Sequence, residues 1–213
     1  MNIAVIGSGR MGKAFAQLLT EQHYAVVLGC RSPENPEIQQ WAEKFDVRCI
    51  SIHSAMQSAD VIFLALPYEA ALDQAKASTD MKSKIIVDLT NPVTPDLKGM
   101  VTGFSTSAGE QLQQLMPESH IVKEFNTIIA TLVPQSARAP GEVQTLIAGD
   151  DPEAKQTVIA LAKSLGFEPV DAGELVVYRY NEPVGQRTNQ VEWLRERQRG
   201  GGGESGCRWG RGL

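Results

Sequence analysis

A chain of 213 residues is long enough for one large domain, or for one domain with a smaller appendage. Its 42% hydrophobic and 21% charged residues are those of an ordinary globular protein, and a formal net charge of -5 argues against a nucleic-acid-binding surface. No apolar run is long enough to span a bilayer, and a strand begins within two residues of Met1, so neither a membrane span nor a signal peptide is expected.

Ile3 to Ile6 is a wholly apolar run ending at a glycine and reads as a strand. Met11 to Thr20 follows as a helix, with Met11, Ala14, Phe15, Leu18 and Leu19 on one face. Tyr24 to Leu28 is a second strand, apolar on both faces as buried parallel strands are. Arg31 to Pro36 is a loop broken by two prolines and Asn35. Ile38, Trp41, Ala42 and Phe45 then put a core stripe on the next helix. Val47 to Ile50 and Val61 to Leu66 read as strands, with a short helix from Ser54 to Ser58 between them. Ala70 to Ala77 is helical, and Ile85 to Leu89 is another buried strand. Further on, Ser107 to Met116 is a helix, Ile121 to Phe125 and Thr145 to Ala148 are strands, and Ala130 to Gly141 is an irregular connection. Pro152 opens a helix to about Leu165 that Gly166 closes, and Phe167 to Val170 is the strand after it.

This alternation predicts an α/β fold: a Rossmann-type parallel sheet covered by helices on both faces and extended by a small C-terminal α/β part. The expected divisions are 1–125, a dinucleotide-binding domain; 126–185, a small part completing a cleft; and 186–213, a disordered tail. That tail crowds five arginines from Arg195 to Arg211 and seven glycines from Gly200 onward, with few apolar side chains to offset ordering. Cys30, Cys49 and Cys207 are odd in number and widely spaced, which fits neither a disulfide framework nor a metal site and suits a reducing cytoplasm.

Ligands in such a sheet bind at the C-terminal ends of the strands. After the first strand comes Gly7-Ser8-Gly9-Arg10-Met11-Gly12, which matches G-x-G-x-x-G and opens a helix. Gly7 permits the tight turn, Gly9 lets the backbone approach a pyrophosphate, and Gly12 lets helix and strand pack closely. The N–H groups of the helix start then attract the pyrophosphate. At the end of the second strand NAD-specific domains place an acid for the ribose 2′-OH, but here the chain reads Leu28-Gly29-Cys30-Arg31-Ser32. Arg31 and Ser32 suit a 2′-phosphate, Arg10 adds positive potential, and the expected dinucleotide is NADP(H).

Leu66-Pro67-Tyr68 and Thr90-Asn91-Pro92 end two further strands and form the mouth where the nicotinamide should lie, with Asn126 and Thr127 facing it from the other side. His23, His53 and His120 fall at the far end of the sheet or on the surface, so no catalytic acid–base residue and no metal site is expected. A cleft of this kind suits direct hydride transfer, which asks for proximity, orientation and exclusion of water.

The segments IAVIGSGRMGKAFA at 3–16, LGCRSP at 28–33, DVIFLALPYEA at 60–70, KIIVDLTNPV at 84–93, IVKEFNTI at 121–128 and AGDDPEAKQTVIALAKSLGFEPVDAGEL at 148–175 carry a resemblance. In this order they resemble the F420-dependent NADP oxidoreductases and, by shared pattern, the oxidoreductase domain of the STEAP metalloreductases. The resemblance implies hydride transfer between NADP(H) and the deazaflavin coenzyme F420, a homodimer, and a serine-arginine pair on the 2′-phosphate. Cys30 and Arg31 stand at that pair, so the arginine is kept and Ser32 is the substitute for the serine. It also implies that Asn126 and Thr127 lie on the substrate side; F420 enzymes can have histidine-threonine there, and the asparagine-threonine form is closer to the metalloreductase domain. FMN or FAD therefore stands as the alternative acceptor. A small-substrate reductase with Tyr68 as acid and a non-catalytic NADP(H)-sensing protein also stay open, the latter suggested by the polar sequence after Gly185.

Overall fold

The strands follow the runs of β-branched and aliphatic residues, and most of the helices begin at a residue whose side chain closes their first turn. The computed structural model describes residues 1–199 apart from Thr79, Leu97 and Pro140, with side chains except those of 189, 190 and 192–199. The elements are β1 (Asn2–Ile6), α1 (Arg10–Glu21), β2 (Ala25–Cys30), α2 (Pro36–Phe45), β3 (Arg48–Ser51), α3 (Ile52–Ser58), β4 (Val61–Leu64) and α4 (Tyr68–Ala77). They continue as β5 (Ile85–Asp88), α5 (Ala108–Leu115), β6 (His120–Lys123), β7 (Gln144–Gly149), α6 (Pro152–Ser164), β8 (Glu168–Gly173) and α7 (Tyr178–Arg199).

The eight strands form one sheet in the order β3-β2-β1-β4-β5-β6-β7-β8. β1 to β6 are parallel, β7 is antiparallel to β6, and β8 is parallel to β7. The strand order reverses between β1 and β4, and that switch point opens the ligand crevice of a Rossmann sheet. Alternation along β1 feeds two cores, with Ile3 and Val5 on one face and Ala4 and Ile6 on the other. The first face packs against α1 and α6. There Phe15 lies 5.5 Å from Phe63 and 4.7 Å from Phe125, and Phe125 lies 5.1 Å from Phe167. Because Val158, Leu161 and Phe167 share this cluster with Ile3 and Phe15, the C-terminal strands extend the same core.

The expected irregular connection from 130 to 141 contains two short 3-10 turns, Ala130–Leu132 and Gln135–Ala137. Arg138 pins it by donating to the carbonyls of Leu132, Val133, Leu165 and Gly166, while its guanidinium stacks on Phe167 at 3.7 Å.

The expectation for the end of the chain is corrected. The disordered tail placed at 186–213 does not begin at 186, because α7 continues to Arg199. No glycine falls between 186 and 199, and glutamine, arginine, glutamate and leucine are good helix formers, so polarity alone does not stop the helix. Residues 200–213, with their glycines, lie outside the described residues. Pro183 sits inside α7 and has no N–H to give to the carbonyl of Arg179. That carbonyl accepts from Phe104 N–H at 3.2 Å instead.

Candidate functional site

The site starts from two helices without caps. The side chains of Asn35, Ser51, Ser107 and Asp151 accept backbone N–H groups at the starts of α2, α3, α5 and α6. The helices α1 and α4, which leave the ends of β1 and β4, have no side-chain cap. In α1 the first turn's N–H groups precede the first intrahelical bond, from Lys13 N to Gly9 O at 3.0 Å, and they face the crevice. An anion is what that end of a helix accepts.

The glycines make room for it. Gly7 has φ +116°, and a Cβ there would fall 2.4 Å from the carbonyl of Ala65. A Cβ on Gly12 would fall 1.8 Å from the carbonyl of Gly7, so α1 can sit against the phosphate loop only without one. A Cβ on Gly9 would meet nothing within 4 Å, which leaves open space beside the backbone at the helix start. These are the features of a pyrophosphate cradle, and a dinucleotide fits the residues present. Ser8 is half-buried in the loop, and in the first turn of α1 Arg10 is exposed and Met11 half-buried. Arg31 and Ser32 are exposed just past the end of β2, free to reach a 2′-phosphate. Next to them Lys13 Nζ lies 5.4 Å from the Trp41 ring, and the Cys49 thiol is held up at about 11, chiefly by burial.

At the mouth, Leu66 is half-buried and Pro67 exposed. Tyr68 is not open to a ligand as expected: it is buried, and its hydroxyl donates to Gln111 Oε1 at 2.6 Å. Desolvation raises its pKa further, so it is poorly placed to give up a proton. Asn91 donates from Nδ2 to the carbonyl of Asn126 at 2.7 Å, and Asn126 Nδ2 donates back to Asn91 Oδ1 at 3.2 Å. The reciprocal pair joins the ends of β5 and β6. Asn126 is thereby buried, and of the two substrate-side candidates Thr127 is the more open. Pro92 is buried beneath the same turn. Phe125 turns the chain into this pair with φ +60°, a strained conformation for a residue with a side chain that its aromatic packing compensates.

From Thr127 a groove of about 510 Å³ opens between the connection after β6 and one face of α7. Ile129 and Leu132 line one wall, and Pro183, Val184, Arg187, Thr188 and Val191 the other. On α7 these positions recur at helical spacing along one side.

Several residues at the site escaped the sequence reading. Asp88 and Lys123 are buried beside Thr90 at the ends of β5 and β6, Glu182 reaches them from α7, and Gly185 packs against Asn91 and Asn126. Arg179 anchors α7 through a two-pronged contact with Glu110, 2.6 Å at the shortest, and holds that carboxyl below its usual range. The visible signal was a charge inside an apolar strand, Asp88 in IIVDL and Lys123 with Glu124 in IVKEF, since such residues are buried only when partnered.

The family model for coenzyme F420-dependent NADP oxidoreductases matches residues 2–92. A crystal structure of a candidate F420-dependent NADP reductase from Arthrobacter sp. FB24 is 30% identical, with a TM-score of 0.78 and 92% of each chain covered. The F420-dependent NADP reductase of Methanocaldococcus jannaschii is 27% identical over 200 residues, covering 86% of this chain and 89% of that protein. Metalloreductase STEAP3 of Rattus norvegicus is 30% identical over 187 residues, covering 85% of this chain but 36% of that protein. The chain thus spans about a third of the length of the metalloreductases it matches. A cradle built for a dinucleotide, on a fold and sequence shared along nearly a whole chain, places this protein in the coenzyme F420-dependent NADP oxidoreductase family, a family of NADP-dependent oxidoreductases.

Proposed function

We propose that the protein moves a hydride between NADP(H) and a planar tricyclic acceptor, coenzyme F420 in the first place and FMN or FAD in the second. The observation that carries this reading is the groove opening at Thr127 beside the Asn91–Asn126 pair. Its volume of about 510 Å³ suits a small organic ligand, and its mostly aliphatic walls suit a flat ring system. Bound NADPH supplies the hydride; the chain's residues hold, orient and shield the two rings. The relatedness to F420-dependent NADP reductases supports the deazaflavin, and the likeness to metalloreductases together with Asn126-Thr127 supports the flavin.

Reduction of an ordinary carbonyl calls for a proton donor at the reacting atom. Tyr68 has committed its hydroxyl to Gln111, His23 and His120 lie at the opposite end of the sheet, and His53 is exposed on α3. The sensor reading drew its support from a C-terminus lacking a closing helix; α7 reaches Arg199 and walls the groove. A homodimer is part of the same proposal, and light scattering on the purified protein decides it.

The test mixes protein with NADPH and oxidised F420 and follows loss of the deazaflavin absorbance, with FMN, FAD and NADH arms in parallel. Fast NADPH-dependent bleaching of F420 supports the first acceptor, and turnover with flavin alone moves the assignment to the second. Tight NADPH binding without transfer to any of them defeats the reading.

A further inference from the structure

Three ionisable side chains are withdrawn from water where the cofactor turn, β6 and α7 meet. Asp88, Lys123 and Glu182 are each 0% exposed. The Lys123 ammonium donates to Asp88 Oδ2 at 2.7 Å and to the Thr90 carbonyl at 2.6 Å, and pairs with Glu182 Oε1 at 3.0 Å. Those three partners use its three protons. Asp88 Oδ1 accepts the N–H of Thr90 at 2.8 Å, and the Glu182 carboxylate accepts the first N–H of α5, from Ala108, at 3.0 Å. Burial works against the ammonium, but the two carboxylates outweigh it and keep Lys123 protonated. A lysine in this state is neither an acid nor a nucleophile, and it touches no open surface.

Its partners belong to different parts of the machinery. Thr90 begins the turn that continues as Asn91-Pro92 at the nicotinamide end, whereas Glu182 belongs to the helix whose following residues, Pro183, Val184 and Arg187, wall the groove. About one turn further along α7, a Cβ on Gly185 would lie 2.7 Å from Asn91 Oδ1 and 2.6 Å from Asn126 Nδ2. The helix therefore meets the cofactor turn twice, once through buried charge and once through a close approach that only glycine allows. Desolvation offsets most of what such an ion cluster contributes to stability, but the cluster accepts one geometry where an apolar cluster accepts several.

We propose that Lys123 is a positioning residue, a node that fixes the groove helix α7 against the cofactor turn and so couples NADP(H) binding to the ordering of the acceptor site. Its consequence for turnover rests on the hydride-transfer reading; the coupling itself does not.

The test uses the full chain, as wild type and as Glu182→Gln and Gly185→Ala. Hydrogen exchange is followed by mass spectrometry with and without NADPH, and single-turnover NADPH oxidation by F420 and FMN is run with light and 4-deuterated cofactor. In the wild type, NADPH slows exchange of the α7 amides after Glu182 by about fivefold or more, and in both variants by less than about twofold. The variants bind NADPH within about threefold of wild type but transfer hydride roughly 10- to 100-fold more slowly, with a larger deuterium isotope effect, because the rings are misplaced. Wild-type α7 exchange that ignores NADPH overturns the node. So do variants that keep both the NADPH-linked protection and the wild-type transfer rate. Loss of that protection in the variants, with no turnover by any form, supports the node and removes the hydride-transfer reading instead.

Discussion

Glu124 sits fully buried beside the site, its Oε1 accepting from Thr145 Oγ1 at 2.7 Å and its Oε2 without a partner. Desolvation raises its pKa well above the ordinary 4.5, against a smaller opposing effect from Thr145. The folded chain therefore holds a proton that the unfolded chain releases once the pH passes 4.5. Stability associated with that proton is fully present below 4.5 and is lost as the pH rises toward the folded value. The loss runs at about 1.4 kcal/mol per pH unit. Glu124→Gln keeps the acceptor for Thr145 and leaves one orphaned polar group, as the protonated acid does, so its packing and desolvation costs nearly cancel. What differs is the proton. The variant is expected to match wild type near pH 4 and to gain steadily above it for as long as the buried acid keeps its proton. For a chain of this size each 1 kcal/mol gained is a rise in melting temperature of roughly 2–4 °C. Urea unfolding of both proteins at pH 4, 5, 6 and 7 measures it. A stability difference that does not change with pH, or a variant less stable at pH 7, refutes the protonated-glutamate argument.

Gly12→Ala puts a Cβ 1.8 Å from the Gly7 carbonyl, and no rotamer change relieves a backbone clash. The retreat of α1 from the phosphate loop should cut NADPH affinity by at least about 100-fold in a fluorescence titration. Arg31→Ala should weaken NADPH binding by roughly tenfold or more and leave NADH nearly unchanged, since the lost group is a charged donor to the 2′-phosphate; equal losses would contradict that role. Arg138→Ala removes donors to four carbonyls and the stack on Phe167, and should cost about 3 kcal/mol in urea unfolding, with Arg138→Lys recovering less than half. Arg187→Glu reverses the charge that lines the groove and should raise the KM for FMN about tenfold while sparing riboflavin, which lacks the phosphate. Steady-state kinetics with the two flavins distinguishes the outcomes.

Much of this protein is written locally. The apolar run of β1, the glycines at 7, 9 and 12, and the proline and glycine around α6 each act within a few residues of themselves, through backbone sterics and periodic burial. The sheet, its covering helices and the phosphate cradle are accordingly legible in the chain alone, and so is the missing acid after β2. The tertiary structure decided what depends on partners far apart in sequence. Tyr68 and Asn126 read as open mouth residues, but Gln111 takes the Tyr68 hydroxyl, and Asn91 and α7 take the side-chain nitrogen of Asn126. The polar stretch after Gly185 reads as unable to order, yet α7 continues through it to Arg199, with its first turns held by buried Tyr178, Glu110 on Arg179, and Lys123 on Glu182. A buried charge has no periodic signature; whether it breaks the fold or builds a site depends on which counter-charge the topology brings to it, and the ends of β5, β6 and α7 meet only once the sheet has closed around them.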